Sequence, residues 1–152
     1  MGLVIDSSVI ISAEKGKIDF TKWQNYEQAY IAAITVSELL VGIARADTEE
    51  RRIKRSAFVE HIISSIAILP FAAEEARIYS QILHNLFIEK LTIGVHDMMI
   101  GAIAIAAGYP VLTMNGKDFK RIKGLEVIVV EEDSKTPINE PINNKRTIKY
   151  KL

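Results

Sequence analysis

Five short apolar runs, each too brief to be a helix, punctuate this 152-residue chain and are separated by stretches of helical periodicity. They fall at residues 2–6, 30–34, 67–69, 111–114 and 127–130. Runs that are apolar throughout belong to strands covered on both faces, and strands that alternate with helices are joined by crossovers. The pattern predicts an α/β fold: a mostly parallel sheet with helices on either side. In such a sheet, ligands bind beyond the carboxyl ends of the strands, where strand order reverses. A chain of this length supports one core of that kind.

Local signals place the helices. Ser7 is expected to cap a helix over residues 9–13. A short helix is expected over 23–28, and Thr35 or Ser37 is expected to cap a helix running to residue 46. Thr48 opens a long helix in which Glu49 and Glu50 precede Arg51, Arg52, Lys54 and Arg55, the order that suits the helix dipole. Residues 72–90 place Ala76, Tyr79, Ile82, Leu83, Leu86 and Phe87 on one face. Residues 96–107 form a further helix, ended by Gly108 and Pro110. Residues 133–152 read as a separate polar, basic tail after a domain spanning 1–132.

Charge and cysteine narrow the function. Nineteen Lys and Arg balance nineteen Asp and Glu. Binding nucleic acid through bulk positive charge is therefore excluded, although a small basic patch or an acidic site filled by cations is not. The zero is itself composite: residues 135–152 carry five cations against Glu140, leaving the rest of the chain at net −4. The chain has no cysteine, which removes disulfides and thiol chemistry. The first apolar run is broken by Asp6 and lacks a basic leader, and the charge-poor stretch 91–116 holds four glycines, Pro110 and Asp97. Neither a signal peptide nor a membrane span is expected, so the protein is read as cytoplasmic.

The informative feature is where charges are missing. Residues 1–13, 28–44 and 91–116 hold one charged residue each, although a quarter of the chain is charged. Those three are Asp6, Glu38 and Asp97, all acidic, with no Lys or Arg nearby in sequence. An ionised carboxylate in apolar surroundings needs a partner or takes up a proton. Asp6 ends the first strand, Asp97 opens a helix and Glu38 lies in the first turns of another, so all three can face one sheet edge. Asp118, just past the strand at 111–114, is a fourth candidate. Taken singly, Asp6 reads as a helix cap, Asp97 as a dipole residue and Asp118 as a solvated loop residue. Taken jointly, they suit a hard divalent cation such as Mg²⁺ or Mn²⁺ with oxygen ligands. Such an ion assists phosphodiester hydrolysis. Lys117, Lys120, Arg121 and Lys123, beside Asp118, are candidate contacts to a phosphate or a solvated loop. Glycine-rich phosphate loops and nucleophile elbows are absent. His61 and His84 read as surface residues. His96 adjoins Asp97 and can face the site, but reads foremost as a helix-start residue.

Taken in order, LVIDSSVIIS, ITVSELLVGIARA and HDMMIGAIAIAAGYPVLTMNGKDFKRIKGLEVI resemble PIN-domain ribonucleases, and most closely the VapC-like toxins of bacterial and archaeal toxin–antitoxin pairs. The resemblance covers about residues 2–130. It implies a PIN-type three-layer α/β/α sandwich with about five strands. It matches Asp6, Glu38 and Asp97 to the three acidic positions of the family motif, and Asp118 to a more variable fourth. Ser7 or Ser8, Thr113 and Asn115 match polar positions that support the carboxylates. It further implies Mg²⁺ or Mn²⁺ as cofactor, an RNA substrate, a homodimer and a small cognate antitoxin. The tail after residue 132 departs from the shorter family pattern. Three other readings compete: a PIN nuclease of RNA processing, a PIN module that binds without cutting, and a phospho-receiver-like signalling domain. The last would want paired acids after the first strand, where Asp6 is followed by Ser7 and Ser8.

Overall fold

The computed structural model describes residues 1–133; the rest of the basic tail expected over 133–152 lies outside the described residues. Five parallel strands, β1 (Gly2–Ile5), β2 (Gln28–Ala32), β3 (Ala67–Leu69), β4 (Val111–Thr113) and β5 (Val127–Val129), form one sheet in the order β3-β2-β1-β4-β5. The chain starts at the centre, winds out through β2 and β3, then returns to the other side of β1 through β4. The reversal falls between β1 and β4, which fixes where a site is expected.

Residues along each strand face opposite layers. Leu3, Ile5, Ile31 and Leu112 pack with α1 (Ser7–Glu14), α2 (Ala33–Ala44) and α3 (Glu49–Ser65) through Val9, Ile10, Leu39, Val59 and Ile62. Val4, Ala32 and Val111 pack on the other face with α4 (Ala73–Ile88), α5 (Val95–Ala107) and α6 (Gly116–Phe119). Ile82, Leu86, Ile100, Ile103 and Phe119 fill that layer. The three-layer sandwich is thus present.

Helix ends follow their chemistry. Thr48 Oγ1 accepts from the Arg51 N–H at the start of α3, as its sequence signal indicated. Glu75 reaches back to accept from the Ala72 N–H, bracing the start of α4. Gly108 ends α5 in the left-handed region at φ 73°, where a side chain would be strained.

Four local expectations are corrected. The first helix is capped at Asp6, not Ser7. Residues 23–28 are not a helix: a 3₁₀ turn spans Phe20–Trp23, and β2 begins at Gln28. Thr35 and Ser37 lie inside α2, whose cap position is Ala32. Only Ile82 and Leu86 of the apolar face assigned to 72–90 are buried; Ala76, Leu83 and Phe87 are exposed, Phe87 by 79%. The stripe is therefore narrower than the sequence suggested, because α4 touches the core along one line.

Candidate active site

Three connections converge on the reversal between β1 and β4. Asp6 follows β1 directly and sits at the cap position of α1, yet its side chain makes no capping bond. It is only 4% exposed. Its Oδ2 instead accepts from Ser8 Oγ at 2.7 Å and Thr113 Oγ1 at 2.8 Å. Both hydroxyls are themselves anchored: Ser8 Oγ accepts from the Met114 N–H at 3.1 Å, and Thr113 Oγ1 from the Asn115 N–H at 2.9 Å. The backbone after β4 therefore fixes Asp6 through two relays. Oδ1 has no hydrogen bond to the described residues.

Asn115 joins two further carboxylates. Its side-chain amide donates to Asp97 Oδ2 at 2.9 Å and Asp118 Oδ2 at 3.2 Å. Asp97 lies in the first turn of α5 and Asp118 in α6, an element the sequence reading left as loop. Glu38, midway along α2, accepts at Oε1 from His96 Nδ1 at 2.9 Å. Among the described residues its Oε2 is buried with no partner, as is Thr35 Oγ1 one turn earlier on α2.

The four acids sense one another. Burial first, and then the charges of Asp6, Asp118 and Glu38 in that order, raise the Asp97 carboxyl to about 6 against the opposing amide of Asn115. Among the described residues, none of the four pairs with Lys or Arg. Asp6, Glu38 and Asp118 thus stand near enough to Asp97 for their charges to act on it.

The donor set is all oxygen, and Glu38 Oε2 is an orphaned buried acceptor, so the chemistry fits a hard divalent cation. Among the described residues no three acidic or histidine side chains already stand close enough to hold an ion.

Three further placements refine the sequence reading. Ser8, not Ser7, carries the hydroxyl that holds Asp6. Arg121 donates to the Thr92 carbonyl and Lys123 pairs with Glu89, whereas Lys117 and Lys120 are exposed beside Asp118. His96 stands in the first turn of α5, as its helix-start reading has it, and from there it also reaches across to Glu38. Its position next to Asp97 was the available signal.

The sheet, its helices and the acids at its reversal point define an α/β/α protein with an acidic site at the carboxyl ends of its strands. The PIN domain model matches residues 3–125. Ribonuclease VapC1 of Rickettsia felis is 51% identical over 130 residues, covering 86% of this chain and 97% of its own. Among solved structures, VapBC2 of Rickettsia felis bound to a promoter DNA fragment superposes with a TM-score of 0.75 at 24% identity, covering 86% of this chain and all of that one. VapBC-5 of Mycobacterium tuberculosis, from a family of toxin–antitoxin systems, superposes with a TM-score of 0.71 at 26% identity, covering 85% and 98%. The chain belongs to the PIN-domain family, among the VapC ribonucleases.

Proposed function

We propose that this chain is a divalent-metal-dependent endoribonuclease that hydrolyses RNA phosphodiester bonds, as the toxin of a two-protein toxin–antitoxin pair. The observation that carries the reading is the convergence of Asp6, Glu38, Asp97 and Asp118 on one sheet edge with no Lys or Arg partner among the described residues. When bound, Mg²⁺ or Mn²⁺ supplies positive charge to the phosphoryl oxygens and makes water more acidic. Asp6 and Asp97 would hold the ion, with Asp118 joining directly or through water. Glu38 holds a second ion or orients the attacking water. Ser8 and Thr113 keep Asp6 in one rotamer, and Asn115 keeps Asp97 and Asp118 together. Lys117 and Lys120, with Arg121 behind them, contact RNA phosphate.

Partners follow from the same resemblance. The solved VapBC relatives support a small cognate antitoxin, and the protein acts in the cytoplasm as a homodimer. No described helix is long and apolar enough to cross a membrane.

The test is direct. Asp6→Asn keeps an acceptor for Ser8 and Thr113 while removing the charge, so the fold should persist and Mg²⁺-dependent cleavage of an RNA panel should fall at least a hundredfold. Chelation should abolish wild-type cleavage. Undiminished cleavage by the variant, in a nuclease-free preparation, would remove the basis for the assignment.

A further inference from the structure

We infer that His96 is a positioning residue that fixes the carboxylate of Glu38 and so decides which of its oxygens is left for a cation. The inference rests on the proposed metal-dependent function of the same site. Its geometry comes from two helices. Glu38 lies on α2 and His96 is the second residue of α5, one place before Asp97. Successive helical residues point about 100° apart. Asp97 is thereby bonded to Asn115 after β4, and His96 is bonded to Glu38 on α2. One turn of α5 supplies both a carboxylate and the clamp on another carboxylate.

The chemistry of the contact sets its direction. An ionised carboxylate only accepts, so His96 Nδ1 carries the proton in the 2.9 Å bond to Oε1. The neutral Nδ1–H ring and the imidazolium donate alike, so the clamp does not depend on a charge change. Once Oε1 is occupied, Oε2 is the remaining acceptor, and it is buried with no hydrogen-bond partner among the described residues. A long flexible Glu held at one oxygen and unsatisfied at the other is poised to give that second oxygen to a cation. Groups that hold metal ligands in this way typically change metal affinity by 10–100-fold when removed. The imidazole is half exposed, so replacing it leaves the core untouched.

The experiment uses the full chain. Titration calorimetry measures Mn²⁺ binding to the metal-free wild type, His96→Ala and His96→Asn, with thermal unfolding as the check on folding. The expected result is about tenfold weaker binding for His96→Ala. His96→Asn should return to within about threefold of wild type, because its amide N–H stands near the Nδ1 position. On the metal-free protein, imidazole ¹⁵N spectra should place the His96 proton on Nδ1, and Glu38→Ala should move it to Nε2. Wild-type affinity in His96→Ala, or a ring protonated at Nε2 alone in the wild type, overturns the role of His96 and leaves the proposed function standing. A wild type that binds no Mn²⁺ overturns the proposed function and the clamp with it.

Discussion

Asp97 concentrates the electrostatic tension of the site. Its carboxyl is raised to about 6, first by burial and then by three neighbouring acids. The folded chain therefore takes up this proton more readily than the unfolded chain does. Below about pH 4 both forms are protonated and Asp97 costs nothing. As pH rises towards 6 the unfolded chain ionises first, so the metal-free fold loses stability, and above 6 the cost is constant. Asp97→Asn should thus stabilise the metal-free protein at pH 7 by about 1 kcal/mol, after discounting for solvent screening of a half-buried group. That is about 3 °C in Tm for a domain of this size, and the gain should vanish near pH 4. Thermal scans of both proteins at the two pH values check it; an equal gain at both would assign the effect to packing. For the same reason wild-type metal affinity should weaken below pH 6, where protons compete for Asp97. Asp6, Glu38 and Asp97 were legible because each stands alone in a charge-poor stretch, whereas Asp118, set among Lys117, Lys120 and Arg121, was marked only by its place just past a strand. Ser8 was not separable from Ser7, since which of two adjacent hydroxyls turns inward depends on how α1 leaves Asp6. The reach of His96 to Glu38 was hidden because it joins residues 58 apart in sequence.

Elements with strong local signals came through intact: the run at Ala67–Leu69 is β3, and Thr48 caps α3. The expected helix over 23–28 failed because strand pairing of Gln28, Ala29 and Tyr30 with β1 outweighs local preference. The short α6 left too little sequence for periodicity to register, yet it positions Asp118. Its first residue, Gly116, is buried where a Cβ would stand 2.4 Å from Val129 Cγ2. Valine is branched and stiff, so it cannot swing aside. Gly116→Ala should cost about 1–3 kcal/mol by overpacking and should shift Asp118 away from Asn115. Val129→Ala opens the contact, and the double variant should recover most of the loss. Denaturant unfolding of the four proteins as a double-mutant cycle reads this coupling. Additive effects would mean that α6 and β5 do not press on each other at this point.

The whole chain meets a polyanion with a formal charge of zero, and its distribution resolves the difficulty. Residues 135–152 are net +4 and the remainder is net −4, with four acids gathered at one sheet edge. Under the proposed function bound cations offset the edge locally, while residues 135–152 carry the net positive charge that the rest of the chain lacks. The described chain is held as far as its last residue: Asp133 N–H donates to the Lys17 carbonyl, its carboxylate pairs with Lys22, and Glu132 bonds Lys17. A truncation after Asp133 therefore keeps those contacts and removes five cations and one acid. On single-stranded RNA each cation that neutralises a phosphate adds about 0.7 to the slope of log affinity against log salt. Deleting residues 134–152 from the Asp6→Asn protein should lower that slope by about 2–3 and weaken binding most at low salt. Fluorescence anisotropy with an RNA oligonucleotide across a salt series measures it. An unchanged slope would place the phosphate contacts on Lys117, Lys120 and the bound cations alone, and Lys120→Ala should then lower it by about 0.7.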